Sequence, residues 1–132
     1  MLKTMLVVWL ALTAQVVTAE ECAQTVIGSL YSELEAIDVA GEQRLGAALD
    51  ELAKREIWTD AQKNDYTASV ADRPEVDVAE SERTALLGEL FTVAQRDSGN
   101  CAKIQALRGS ILSLEEQQWE NALKQVEQRL AQ

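Results

Sequence analysis

The sequence predicts an all-α protein, an elongated antiparallel up-down-up three-helix bundle with one disulfide, and three observations lead to it. Apolar residues recur every three or four positions along nearly the whole chain, which is typical of helices that bury one face. Two turn signals divide this pattern into spans of similar length, 22–57, 60–97 and 100–131. Two cysteines, Cys22 and Cys101, lie near the starts of the first and third spans.

The N-terminal segment has the features of an export signal. After a positively charged start, residues 6–12 form a short apolar core, and residues 17–19 fit the small-residue cleavage pattern. The alternative is an uncleaved anchor, but the apolar run is shorter than the ~20 residues that span a membrane. We therefore expect 1–19 to be a signal peptide and 20–132 a single helical domain in the periplasm or outside the cell, with no membrane span after cleavage.

The first span carries one apolar stripe with steps of three or four residues, as on one face of a helix. Gly41 and Gly46 lie within this span, and each costs a helix about 1 kcal/mol relative to alanine. They either mark a break that divides the span into two helices, or allow a bend or the close approach of another helix. The stripe consists of Ala23, Ile27, Leu30, Leu34, Ile37, Gly41, Leu45, Ala48 and Leu52.

Two local signals place helix starts in the second span. Thr59 followed by Gln62 matches a capping box, so a helix should begin directly after this threonine. Pro74 is the only proline, and it cannot continue a helix but suits a first turn, so the span should be interrupted there. The apolar stripe of the restarted helix is broken at Arg83, whose aliphatic stem could still pack. The turn that ends this span has Gly99 as its expected C-terminal cap.

The third span resumes the helical pattern at Cys101. Its apolar stripe shifts around a polar run, residues 115–118, which we expect to face water. Trp119 follows this run directly and should lie in the core or contact another helix. The stripe consists of Ile104, Leu107, Ile111, Leu114, Trp119, Leu123, Val126 and Leu130.

The cysteine pair restricts the topology. Exported proteins preserve disulfides, and Cys22 and Cys101 form no Cys-x-x-Cys redox motif, so we expect a structural bond between them worth about 4–5 kcal/mol. Bonded cysteines need Cα atoms within about 7 Å of each other, which requires an even number of chain reversals between them. Three long spans satisfy this condition, and so do five shorter helices with breaks near Gly41 and Pro74. A simple four-helix bundle broken only near Gly41 would place the cysteines at opposite ends.

The composition argues against most catalytic and metal chemistry. The chain has no His, which is the usual base of nucleophile sites and the commonest zinc ligand, and only two Cys. It also lacks a Gly-rich phosphate loop, so we assign no catalytic, cofactor-binding or metal residues. Carboxylates are densest at 72–82, where we interpret them as solvated charge at a helix start. The alternative is a carboxylate-dependent hydrolase or a metal-binding envelope protein.

The net charge of −10 disfavours nucleic acid and favours a cationic partner. We expect a non-catalytic exported protein that binds a macromolecular partner, such as a cationic envelope protein, in an inhibitor, immunity or chaperone role. Trp58 and Tyr66 flank the first turn, where they either anchor an interface or cap the core. Long apolar stripes can also pair between chains, so the sequence leaves the oligomeric state open. The candidate partner-binding residues are Trp58, Tyr66, Asp72, Glu75 and Asp77.

Overall fold

The computed structural model describes residues 19–72 and 74–132, and 91% of these residues are helical, with no strand among them. The all-α prediction is confirmed. The predicted signal peptide lies outside the described residues apart from Ala19, so it stays a prediction. None of the described helices is both long and apolar enough to cross a membrane. The four helices are α1 (Ala19–Glu56), α2 (Asp60–Ala71), α3 (Pro74–Arg96) and α4 (Cys101–Leu130).

Helix α1 runs through Gly41 and Gly46 without a break. A Cβ atom added at Gly41 would lie 2.3 Å from Cδ2 of Trp119, whereas one added at Gly46 would meet nothing within 4 Å. Gly41 therefore lets α4 approach closely, as one of the two interpretations expected, and the alternative of a helix break near this residue is wrong. Trp119 provides the predicted contact between helices.

The second span is divided where the sequence predicts. The Oγ1 of Thr59 accepts the Gln62 N–H at 3.2 Å, and Gln62 Oε1 accepts the Thr59 N–H at 2.9 Å, so the capping box is confirmed. Helix α2 ends at a C-cap, Asp72, whose N–H donates to the Ala68 carbonyl at 3.0 Å. Helix α3 then begins at Pro74, because the missing proline N–H is no loss in a first turn.

The turn between α3 and α4 is closed by polar groups. Asn100 donates its N–H to the Asp97 carbonyl at 3.0 Å, and its side chain accepts the Lys103 N–H at 3.2 Å. No glycine among the described residues has a positive φ, so the expectation that Gly99 acts as a left-handed cap is wrong. The reason is that the side chain of Asn100 organises this turn from the start of α4, as an N-cap.

Helix α4 packs along both α1 and α3, while α1 and α3 approach each other at only a few positions. The apolar residues between these helices form two separate clusters. The disulfide core consists of Cys22, Ala23, Val26, Leu30, Leu34, Leu90, Val93, Ile104, Leu107 and Ile111. The distal core consists of Leu49, Leu52, Val70, Ala122 and Val126.

Cross-helix pairs connect α4 to its neighbours along its whole length. The predicted disulfide between Cys22 and Cys101 is confirmed, with the Cα atoms 6.0 Å apart. Along α1, the pairs that follow occur in the same order on both helices. They are Glu33–Arg108 (2.6 Å), Asp38–Trp119 (2.9 Å), Arg44–Glu120 (2.7 Å) and Glu56–Arg129 (2.7 Å). Along α3 the order is reversed, with Glu89–Lys103 (3.5 Å) followed by Arg83–Glu115.

Candidate functional site

Helix α1 ends in a strained residue at the distal end of the protein. The N–H of Trp58 donates to the Ala53 carbonyl at 3.0 Å, which is the closing hydrogen bond of a Schellman motif. Ile57 occupies the position where this motif usually has glycine, with a φ of 56°. A left-handed conformation costs an L-residue roughly 1–2 kcal/mol, and a β-branched one is an outlier there. Ile57 is also 87% exposed, so its side chain points apolar surface into water.

Trp58, the residue that directly follows Ile57, contacts a second aromatic ring and an arginine. The ring centroids of Trp58 and Tyr66 are 4.9 Å apart, and the guanidinium of Arg129 lies 5.0 Å from the first ring and 4.9 Å from the second. A cation at this distance from an aromatic face is attracted by the ring quadrupole. The structure thus brings both predicted aromatic residues together and adds Arg129, which the sequence did not single out. We call Ile57, Trp58, Tyr66 and Arg129 the aromatic end.

The position of Arg129 is set by a carboxylate at the end of α1. Its Nε and Nη2 donate to the two oxygens of Glu56 at 3.0 and 2.7 Å, in a bidentate pair. The hydrogen bonds that Arg129 donates to Glu56 raise the pKa of Arg129 above its ordinary value. A shallow cavity beside this pair is lined by Gln125, Gln128 and Gln132 as well, so it offers amide donors and acceptors next to the rings.

The two aromatic side chains also have a packing role. Trp58 and Tyr66 are both partly buried and lie against the distal core. Helix α2 brings Tyr66 to this place, and the ion pair of Lys63 with Asp50 of α1 holds the helix there. Part of each side chain therefore caps the distal core, and the remaining part of each is accessible at the surface.

The three predicted acidic residues lie elsewhere. Asp72 is exposed at the C-cap of α2, about 9 Å along the helix axis from Tyr66. Asp77 is exposed on α3. Glu75 belongs to the first turn of α3, and its side chain lies outside the described part of the structure. In the described ranges, no group of three His, Cys, Asp or Glu residues could hold a metal ion.

A charged network crosses the middle of the bundle, between the two cores. Glu115 of α4 is 3% exposed and accepts a hydrogen bond from the guanidinium of Arg83 of α3. Asp38 of α1 hydrogen-bonds to Glu115 and accepts the Nε1–H of Trp119 at 2.9 Å. The expectation that the whole run 115–118 faces water is wrong at Glu115. The reason is that Arg83, which interrupts the apolar stripe of α3, faces this carboxyl across the helix contact.

Burial changes the acidity of Glu115. Removal from water raises its pKa to about 7, and the hydrogen bond that the protonated carboxyl donates to Asp38 acts in the same direction, against the opposing charge of Arg83. A carboxyl that titrates near neutral pH is a group suited to acid–base catalysis. This one is enclosed by three helices at 3% exposure, so a substrate would have no access to it. The network instead joins α1, α3 and α4 at one level.

The chain matches no protein-family model, no curated protein and no solved structure. Its function is therefore inferred from its own residues. Of these, the aromatic end combines an exposed apolar side chain, two rings and a fixed cation at one place, and it is the candidate functional site.

Proposed function

We propose that this protein is a non-catalytic exported helical protein that binds a macromolecular partner through its aromatic end. The observation that carries the proposal is the exposed Ile57, kept in a strained left-handed conformation beside Trp58, Tyr66 and Arg129. Strained residues persist where the surroundings hold them, and they concentrate at functional sites. Trp, Tyr and Arg are the residue types that most often dominate the binding energy of an interface.

The partner is a cationic envelope protein, and the role is that of an inhibitor, immunity protein or chaperone. The net charge of −10 supports this choice because it attracts a basic protein and speeds the encounter. Trp58 and Tyr66 supply the contact surface. The carboxylates of the acidic segment, Asp72, Glu75 and Asp77 among them, add to the attraction.

The compartment is the periplasm or the cell exterior. The disulfide supports this location because such bonds persist in oxidising compartments and are rare in a reducing cytosol. The N-terminal segment 1–19 supplies the export signal.

We infer an up-down-up path for the chain, with the middle span interrupted at Pro74. The order of the cross-helix pairs supports it. Residue numbers rise together on α1 and α4, from the disulfide to the Glu56–Arg129 pair, whereas they run in opposite directions on α3 and α4. This path returns the chain to the level of Cys22 at the start of α4, and it places the aromatic end far from the disulfide.

The test is capture of a partner from envelope extract by the disulfide-bonded protein, compared with two variants. Ile57→Gly removes the exposed side chain and relieves the strained conformation, so it should keep the fold and lose the partner. Val39→Ala is the matched control, because Val39 is also exposed and apolar but lies about 27 Å along α1 from Ile57.

A partner that is retained by Val39→Ala, lost by Ile57→Gly and released at high salt supports the proposal. Retention of the same partner by Ile57→Gly and by Trp58→Ala would contradict it. Far-UV circular dichroism of each variant checks that the helices are intact.

A further inference from the structure

A groove between α1 and α3 lies next to the disulfide. Because both helices pack on α4 and approach each other at only a few positions, the space between them is open on the side away from α4. The cavity here has a volume of about 590 Å³. Its lining combines the apolar Ala23, Ile27, Phe91 and Ala94 with the uncharged polar Gln24, Gln95 and Ser98. We call the whole groove the α1/α3 groove.

The half of the groove near the disulfide exposes large apolar side chains and carries no charged residue in its lining. Phe91 is 37% exposed, and Tyr31, which lies one turn beyond Ile27 on the same face of α1, is 58% exposed. Leu87 lies one turn from Phe91 and is only partly buried. These side chains leave large apolar surface in water, on a face that no helix among the described residues covers.

Beyond this cavity, toward the middle of the bundle, the same faces of α1 and α3 carry exposed acids, and we call this stretch the acidic half of the groove. On α1 the face that carries Ile27 and Tyr31 continues to Glu35 and Glu42, which are both exposed. On α3 the face that carries Phe91 and Leu87 continues to Glu80 and Asp77, which are also exposed. Each acid follows the apolar residues of its own helix at helical spacing.

The acids of the two helices lie at the same end of the groove. Near the disulfide, Ala23 and Ile27 line the same cavity as Phe91 and Ala94. Further along, Asp38 of α1 and Arg83 of α3 both contact Glu115, so these two positions lie at one level. Glu42 and Glu80 each come about one turn beyond that level. The cation at this level, Arg83, is engaged by Glu115 and turned inward.

We propose that the α1/α3 groove binds a basic amphipathic helix of a partner protein. The apolar face of that helix packs on Ile27, Tyr31 and Phe91, and its Lys and Arg side chains lie between the carboxylates of α1 and α3. An amphipathic helix laid in an apolar groove is a recurring mode of peptide recognition. Charge complementarity selects this occupant, because the acidic half repels a second copy of a chain with a net charge of −10, and it also repels anionic lipid.

The probe is a synthetic amphipathic Leu/Lys peptide of about 18 residues, which is five helical turns, and the matched control is the Leu/Glu peptide of the same pattern. Binding to the disulfide-bonded protein is measured by fluorescence anisotropy of a labelled peptide at low and high salt. We expect the Leu/Lys peptide to bind with an affinity that falls with salt, and the Leu/Glu peptide not to bind.

Variants locate the site. Phe91→Gln should weaken binding by about tenfold or more, as expected for loss of a central aromatic contact. The double variant Glu42→Gln with Glu80→Gln should weaken binding and reduce its salt dependence. Val78→Gln is the apolar control, because Val78 is exposed on α3 but lies on a different face from Phe91, Leu87 and Glu80. This variant and the double variant Glu51→Gln with Asp65→Asn should leave binding unchanged.

Equal binding of the peptide to Phe91→Gln and to the wild type would overturn the proposal, and so would equal binding of both peptides. Sedimentation analysis that finds a dimer abolished by Phe91→Gln would also overturn it, since a second copy would then occupy the groove. Ile57→Gly should leave peptide binding unchanged, so failure of the groove and failure of the aromatic end are distinguishable. Thermal unfolding of each variant confirms that the groove is still formed.

Discussion

Helices α1 and α4 are linked to each other by different interactions at the two ends of the protein. Near their N-termini the bond between Cys22 and Cys101 is covalent and lies beside a core of ten buried residues. Near their C-termini the link is the surface pair of Glu56 with Arg129, beside a core of five. Since surface ion pairs contribute little, the distal end depends on ring packing and on a strained helix terminus. The candidate binding site therefore lies at the end where the two helices are linked more weakly. Local unfolding should start at this end.

The largest expected effect on stability is that of losing the disulfide. Reduction of the disulfide, or the double substitution of Cys22 and Cys101 by serine, should lower the free energy of unfolding by about 4–5 kcal/mol, because the bond closes a long loop. Urea unfolding with and without reductant measures it. Hydrogen exchange should then become similar at the two ends. An unchanged unfolding midpoint would show that the disulfide is not what distinguishes them.

The second-largest expected effect on stability comes from the Glu115 network, which lies between the two cores. The folded protein holds a proton on Glu115 up to about pH 7, whereas the unfolded chain releases it near pH 4.5. The folded state therefore binds more protons between these values, and stability should fall as the pH rises through this window, by roughly 3 kcal/mol in total. The groups that face Glu115 are Asp38 from α1 and Arg83 from α3.

Glu115→Gln should remove that pH dependence, because an amide does not titrate. Urea unfolding at several values between pH 4.5 and 7.5 measures the slope for both proteins. Asp97→Asn is a control, since Asp97 is an exposed acid outside the network. A wild-type stability that rises across the same window would contradict the assignment of a protonated Glu115 in the fold.

A smaller effect is expected where α1 and α4 approach most closely. Gly41→Ala places a Cβ atom 2.3 Å from the Trp119 ring, so the ring must move, at a cost of about 1–3 kcal/mol. Gly46→Ala is the matched control in the same helix, where nothing lies within 4 Å, and it should stabilise the protein by up to about 1 kcal/mol. Thermal unfolding and tryptophan fluorescence measure both. Equal effects of the two substitutions would rule out the close helix contact.

The smallest effect is a gain at the aromatic end. Ile57→Gly should raise the free energy of unfolding by about 1 kcal/mol, because glycine adopts a positive φ without the steric cost of a β-branched side chain. Ile57→Ala keeps a Cβ atom and should gain less. Urea unfolding compares the three proteins. If the glycine variant were less stable than the wild type, the left-handed conformation of residue 57 would be in doubt.

Local signals predict much of this fold. The capping box at Thr59 and the restart at Pro74 depend on residues within four positions of each other, so the sequence is sufficient to place them. The disulfide follows from a single pair of cysteines in a chain with an expected export signal, and it implies an even number of reversals between them. Glu115 could not be placed in this way, since a carboxylate among polar neighbours is indistinguishable from solvated charge until the position of Arg83 is known. Arg129 could not be placed either, since its position over Trp58 and Tyr66 depends on how α4 packs against α1 and α2.

The sequence by itself determined the helical class, the helix starts in the middle of the chain and the bonded cysteines, because these depend on short-range backbone chemistry or on there being only one pair to form. Only the tertiary structure decided that α1 is a single helix, that Gly41 accommodates Trp119, and that Arg129 lies over both aromatic rings. These contacts depend on how far each helix is rotated about its own axis against its neighbours. Centring the buried face of a helix one residue further along rotates the helix by about 100° about its axis. The spacing of apolar residues within one helix does not specify this rotation relative to the neighbouring helices.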